Sequence, residues 1–194
     1  MFVLLCLRGL FKMVMTAYDS KREELEKIAA NTIVDATNEL LANQDFVVFG
    51  ICGGRSVSNI FKFLKESELA WEKVKIFLVD ERLVDITDKD SNYKLAYDSF
   101  LSDLITEGKL PKENVFPFYV DKGIEDYEAR LKEVGGKFDI VLLSSGEDGH
   151  IGALYPNHHS IKDESAYFLT MTDSPKLPPN RMTFSRKLML KSKV

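Results

Sequence analysis

The stretch Ser144-Ser145-Gly146-Glu147-Asp148-Gly149-His150 is the part of this chain best equipped for chemistry. It sets an imidazole two residues from a carboxylate, between glycines that permit turns other residues resist. The unperturbed pKa of histidine lies nearest neutrality, so His150 is a candidate general acid or base, with Asp148 placed to orient it. A lone Asp-x-His is more often a polar loop with a solvated ring. Two further clusters shift that balance. Gly53-Gly54-Arg55-Ser56 offers backbone N–H groups and side-chain donors of the kind that hold a phosphate. Its spacing fits neither a Walker loop nor a Gly-x-Gly-x-x-Gly fingerprint, and Gly-Gly alone is commonly just a tight turn. Asp80-Glu81-Arg82 sets two carboxylates beside a guanidinium, though a solvated Glu–Arg pair would contribute little.

What unites the clusters is what precedes them. Phe46–Cys52, Val74–Val79 and Phe138–Leu143 are short apolar runs of the kind that buried parallel strands show. Each empties into one of the polar clusters. In an open α/β sheet, ligands bind in the crevice at the carboxyl ends of strands, so a single composite pocket explains the three coincidences best. Between the runs lie helical patterns. Residues 19–42 repeat Leu25, Ile28, Ala29, Ile33, Ala36 and Leu40 at helical spacing, with Asp19 or Ser20 as cap. A second helix is expected over 57–64. A third starts at the capping run Asp90-Ser-Asn92-Tyr93 and reaches about Leu104, and a fourth covers 124–134. Val115–Tyr119, Ala166–Met171 and Met182–Ser185 read as further strands. Strands alternating with helices predict an α/β fold: a doubly wound, mainly parallel sheet with helices on both faces, a Rossmann-like three-layer sandwich.

The 194 residues suit one domain, and 45% hydrophobic with 29% charged residues is ordinary for a globular protein. A formal net charge of -4 argues against nucleic acid or an anionic membrane as partner. Cys6 and Cys52 show no paired spacing, which reads as a reduced, cytoplasmic protein. Residues 1–15 are apolar but lack a basic start and a cleavage site, so they read as an extension to a single domain over 16–194. His158 and His159 read as a solvated pair. With His150 and Cys52 they show no metal-ligand spacing, and no magnesium site assembles around Glu147 and Asp148.

Several motifs together resemble the 6-phosphogluconolactonases, within the superfamily that includes the glucosamine-6-phosphate deaminases. They are Val79-Asp-Glu-Arg82 followed by Asp90-Ser-Asn92-Tyr93, Gly146-Glu-Asp-Gly-His150 closing on Leu154-Tyr-Pro156, and Asp173-Ser-Pro-Lys176 with Pro178-Pro-Asn-Arg181-Met-Thr183. The resemblance spans about 19–185. It also separates the two enzyme classes: the deaminases are expected to carry Asp-Glu-Tyr and a later Asn-Glu-Pro, where this chain has Asp80-Glu81-Arg82 and Ala153-Leu-Tyr-Pro156. The chain departs from the family pattern at Ser144-Ser145 and at Val57. It ends soon after the Arg-x-Thr motif, so a shortened member lacking C-terminal elements is expected.

The resemblance implies hydrolysis of 6-phospho-D-glucono-1,5-lactone to 6-phospho-D-gluconate in the pentose phosphate pathway. The other readings are a deaminase-like enzyme and a silent sugar-phosphate-binding protein. Lactone hydrolysis needs an activated water, oxyanion stabilisation and protonation of the leaving ring oxygen, none of which requires a metal or cofactor. His150 suits the first and last of these tasks, oriented by Asp148. Arg82 or loop amides suit the oxyanion. Gly53, Gly54, Arg55, Ser56 and Arg181 are the expected phosphate donors. Asp80, Glu81, Asn92, Gly146, Glu147 and Gly149 are further pocket candidates.

Overall fold

The computed structural model describes residues 21–54 and 56–192. The expected caps Asp19 and Ser20, Cys6, the extension over 1–15 and the candidate Arg55 lie outside them. Helix α1 (Arg22–Leu41) buries Leu25, Ala29, Ile33 and Ala36, as their spacing requires. Ile28, counted with that face in the sequence, is exposed instead. Glu26 is buried on the helix and accepts hydrogen bonds from Arg22 and from Asn59 of α2 (Ser58–Lys65). A buried carboxylate is tolerated because both of its oxygens are bonded.

Strands β1 (Val47–Ile51) and β2 (Val74–Leu78) form the centre of a parallel sheet, in register from Val47 opposite Val74 to Ile51 opposite Leu78. β4 (Val115–Phe116) extends the β2 edge and β5 (Ile140–Leu142) extends the β1 edge. The order β4-β2-β1-β5 reverses direction at β1, so the crevice opens between the ends of β1 and β5. The mainly parallel α/β architecture read from the sequence is present.

A second, three-stranded antiparallel sheet is also present, and the sequence does not foretell it. It comprises β3 (Asp80–Arg82), β6 (Phe168–Met171) and β7 (Arg181–Phe184). Asp80-Glu81-Arg82 reads in sequence as a polar cluster beyond the strand end, because three charged residues carry no strand propensity. Pairing with β7, Asp80 opposite Thr183 and Arg82 opposite Arg181, overrides that preference. The Phe184 N–H donates to the Val79 carbonyl at 2.7 Å, so the second sheet grows directly from the end of β2.

Helices α1 and α2 pack on each other, and α2 packs on the helical run 92–106. That run comprises α3 (Asn92–Ala96), a π segment over Tyr97–Leu101 and α4 (Ser102–Thr106). Phe61 stacks on Phe100 there, with ring centroids 4.6 Å apart and Trp71 beside them. Helix α5 (Gly123–Glu133) lies by β6 instead. Its buried Tyr127 packs against Phe77, Phe118 and Phe168 and accepts a hydrogen bond from the Leu78 N–H. A short α6 (Arg186–Leu190) follows β7, capped by the Ser185 hydroxyl. No helix among the described residues is long and apolar enough to cross a membrane.

Candidate active site

The three polar clusters meet. Gly53 lies so close to Asn92 that a Cβ there would fall 1.9 Å from the Asn92 Oδ1. Only glycine permits that approach, which joins the end of β1 to the start of α3. Asn92 in turn donates to the Asp80 carbonyl at 3.0 Å. Ser56 and Ser144 share a hydrogen bond of 2.7 Å between hydroxyls, tying the loop after β1 to the loop after β5. Gly54 turns in the left-handed region at φ 101°, which leads the chain into α2.

The loop after β5 is closed by its own backbone. The Gly146 N–H donates to the His150 carbonyl at 2.9 Å, and the Gly149 N–H to the Gly146 carbonyl at 3.0 Å. Gly149 takes φ 83° to make that turn. A Cβ on Gly146 would fall 2.1 Å from the His150 ring, so the ring occupies the space that glycine leaves. His150 Nδ1 and Asp148 Oδ1 are in short hydrogen-bond contact. The bond to His150 is the main cause holding the Asp148 carboxyl down at about 2. The ring rests on the buried Tyr155, centroids 4.9 Å apart. Among the described residues nothing hydrogen-bonds His150 Nε2, so that nitrogen is available to a ligand. Among the described residues, no interaction of Glu147 marks it as part of this arrangement.

The carboxylates at the end of β2 divide by role. Asp80 is buried, and burial pushes its pKa up against the opposing pull of Arg82, Arg181, the Asn92 side chain and His150. Its Oδ2 lies 3.9 Å from Arg181 Nη1. Glu81 is spent on architecture. Its carboxylate accepts from the N–H groups of Arg82, Asn92 and Tyr93 at 2.7 Å and from the Ser91 hydroxyl at 3.0 Å. It therefore anchors the start of α3 and has no capacity for a substrate. Burial still raises its pKa, in opposition to those backbone donors. Arg82 donates from Nη1 to the Asp90 carbonyl, while its buried Nε has no partner among the described residues.

Arg181, expected as a direct phosphate donor, is buried and largely committed. Its Nε donates to the Pro178 carbonyl at 3.0 Å and its Nη2 to the Leu177 carbonyl at 2.9 Å. Those bonds fold the loop between β6 and β7 over the guanidinium. The same loop delivers Lys176, half exposed, with Nζ 3.6 Å from Asp148 Oδ2. The sequence places Lys176 in a motif without assigning it a role; its distance from the Asp-Gly-His loop along the chain hides the contact. The hydroxyl of Thr183, also unassigned in sequence, accepts from the Ala153 N–H at 3.1 Å and seats the loop on β7.

Cys52 is free and buried beneath the site, and burial pushes its thiol far above the ordinary range. It is therefore no nucleophile. Of the pair that the sequence reads as solvated, only His159 is exposed. His158 is mostly enclosed and its Nδ1 accepts from the Ser160 N–H, while His159 Nε2 lies 3.0 Å from Asp173 Oδ1.

Comparison with known proteins fits this arrangement. The chain is 31% identical over 188 residues to probable 6-phosphogluconolactonase 4 of Arabidopsis thaliana, covering 84% of this chain and 70% of that one. Against the chloroplastic 6-phosphogluconolactonase 3 of the same plant, it is 29% identical and spans 58% of the relative's length. The crystal structure of a 6-phosphogluconolactonase from Leishmania guyanensis superposes with a TM-score of 0.79 at 22% identity, covering 91% of this chain and 78% of that one. A monomeric glucosamine-6-phosphate deaminase superposes at 0.70 with 21% identity, over 90% and 77% of the two chains. At those identities the superpositions establish the fold, and the fold alone does not separate the two activities. Residues 20–194 match the family described as glucosamine-6-phosphate isomerases/6-phosphogluconolactonase, and the chain belongs to that family.

Proposed function

We propose that this chain hydrolyses 6-phospho-D-glucono-1,5-lactone to 6-phospho-D-gluconate, with His150 as general base and then general acid. The observation that carries the reading is the His150–Asp148 pair at the carboxyl end of β5. With Nδ1 held by Asp148, the proton on that nitrogen is fixed and Nε2 is the basic one. A water at Nε2 attacks the lactone carbonyl, giving up a proton to the ring as the new C–O bond forms. The Arg82 guanidinium, oriented by the Asp90 carbonyl, is the side-chain donor this reading assigns to the tetrahedral oxyanion. As the bond to the ring oxygen breaks, His150 returns its proton to that oxygen, and the products are an alcohol and a carboxylic acid.

The phosphate finds donors in the amides around Gly54 and Ser56 and in the exposed ammonium of Lys176. Arg181 contributes by shaping the loop that carries Lys176 and by balancing the charge of Asp80. The deaminase reading lacks a carboxylate after the Asp-Gly-His loop. Ala153, Leu154 and Tyr155 occupy that position and are buried. Following acid release from the phosphorylated lactone alongside ammonia release from glucosamine 6-phosphate decides between them. Accelerated acid release without ammonia supports the proposal, and ammonia release or neither activity opposes it.

A further inference from the structure

His158, His159 and Asp173 come together although fourteen residues separate His159 from Asp173. One ligand atom from each lies within 4.8 Å of the others. His159 Nε2 is 3.0 Å from Asp173 Oδ1 and 3.2 Å from Oδ2, and His158 Nε2 is 3.5 Å from Oδ1. A zinc-like ion bonds nitrogen and oxygen at about 2.0–2.2 Å, so its ligand atoms stand about 3.0–3.5 Å apart. The measured separations to Asp173 fall in that range without rearrangement.

Neighbouring histidines in a chain usually diverge. Here Asn157 turns at φ 60°, and His158 stands as the extended cap of the 3-10 turn that begins at His159. The two rings end side by side, centroids 4.1 Å apart. His158 Nε2 is sealed from solvent and has no hydrogen-bond partner among the described residues, so it points at Asp173 unsatisfied. A buried polar atom left in that state is costly unless something occupies the gap.

Both supporting loops carry hydrogen bonds of their own. The buried Ser160 hydroxyl lies 3.0 Å from His158 Nδ1 and accepts from the Tyr155 N–H. With Nε2 ligating, Nδ1 carries the proton and donates it to that hydroxyl, giving up its contact with the Ser160 N–H; such outer partners orient metal-bound imidazoles. On the other loop, the Ser174 hydroxyl donates to the Tyr155 hydroxyl at 2.8 Å and holds the residue next to Asp173.

We propose that His158, His159 and Asp173 form a binding site for a divalent transition-metal ion, separate from the chemistry at His150. Two imidazoles and one carboxylate suit Zn²⁺, Co²⁺, Ni²⁺ or Cu²⁺ and disfavour Mg²⁺ or Ca²⁺. His159 and Asp173 are more than half exposed, so the remaining coordination positions open to water. The bound ion ties the loop after Pro156 to the loop that carries Lys176.

The test uses the tag-free chain, stripped with a chelator and titrated with Zn²⁺ by calorimetry and with Co²⁺ by visible absorption. One equivalent is expected to bind, with a rise in Tm and a ligand-field spectrum for Co²⁺. His159→Gln and Asp173→Asn, both at open positions, should each weaken binding at least about tenfold. His150→Asn should bind as the parent does. No saturable binding overturns the proposal. So does binding that survives both outer substitutions, or that falls as far in His150→Asn as in His159→Gln.

Discussion

The Ser56 and Ser144 hydroxyls meet at 2.7 Å across 88 positions of sequence. This one contact ties the loop at the end of β1 to the loop that presents His150, across the point where the sheet reverses direction. Ser144→Ala removes it without creating a clash. A neutral hydrogen bond of this kind is worth about 0.5–1.5 kcal/mol. The expected result is a rise in KM of less than about tenfold for the phosphorylated lactone, with kcat nearly unchanged. A collapse of kcat would show that Ser144 takes part in the chemistry instead.

Glu81 is the carboxylate whose loss should cost most stability. It accepts from three backbone N–H groups and one hydroxyl at the base of α3. Each hydrogen bond to a charged group contributes about 1.5–3 kcal/mol, and removing the acceptor leaves buried donors unpaired. Glu81→Ala is therefore expected to lower stability by at least that amount in a urea titration. A change within experimental error would mean the donors find water.

Lys176 and Arg181 should respond differently to the phosphate. Lys176→Ala is expected to raise KM about tenfold or more for the phosphorylated lactone and to spare unphosphorylated gluconolactone. Arg181→Ala should lower kcat/KM for both substrates and lower Tm, because its guanidinium holds the loop carbonyls of Pro178 and Leu177. Measuring both lactones with both variants separates the roles. A selective effect of Arg181→Ala on the phosphorylated substrate would restore it as a direct phosphate ligand.

The acid limit of the His150–Asp148 pair follows from the lowered carboxyl. Its folded pKa of about 2 lies below the ordinary 3.8, so the pair's contribution is present above the ordinary value and is lost as pH falls toward about 2. Carboxyl titration by NMR should place Asp148 near 2 in the parent and near the ordinary value in His150→Ala. Equal midpoints in the two proteins would deny the pairing.

Much of the site was legible because three apolar runs each end in polar residues, and an α/β sheet gathers strand ends. Asp148, His150 and Gly53 stand at such strand ends, whereas Asn92 reads in sequence as part of a helix-capping run and a family motif. Other parts depend on distance in space. Glu81 reads in sequence as a pocket carboxylate, but its oxygens are consumed by the turn from Ser91 to Tyr93. Asp80 to Arg82 carries no strand signal of its own and is a strand only because β7 pairs with it. Arg181 reads as a free cation until the carbonyls of its own Pro-rich loop close on it. The convergence of His158 and His159 on Asp173 likewise has no ligand spacing along the chain, since a turn and a long loop make it.

Catalysis should be indifferent to metal. Among the described residues, the one His/Cys/Asp/Glu group able to hold an ion is His158, His159 and Asp173, which does not include His150. Exhaustive chelation is expected to leave lactone turnover unchanged. Loss of activity restored by one specific divalent ion would place a metal in the mechanism.

The central claim is that His150 moves the proton, and its most direct test is the rate of acid release from 6-phosphogluconolactone by His150→Asn. The rate is corrected for spontaneous hydrolysis, on protein whose Tm matches the parent. Loss of a general base costs about 10²–10⁴-fold, so kcat should fall by that factor while KM changes little. A kcat within a few-fold of the parent would contradict the account.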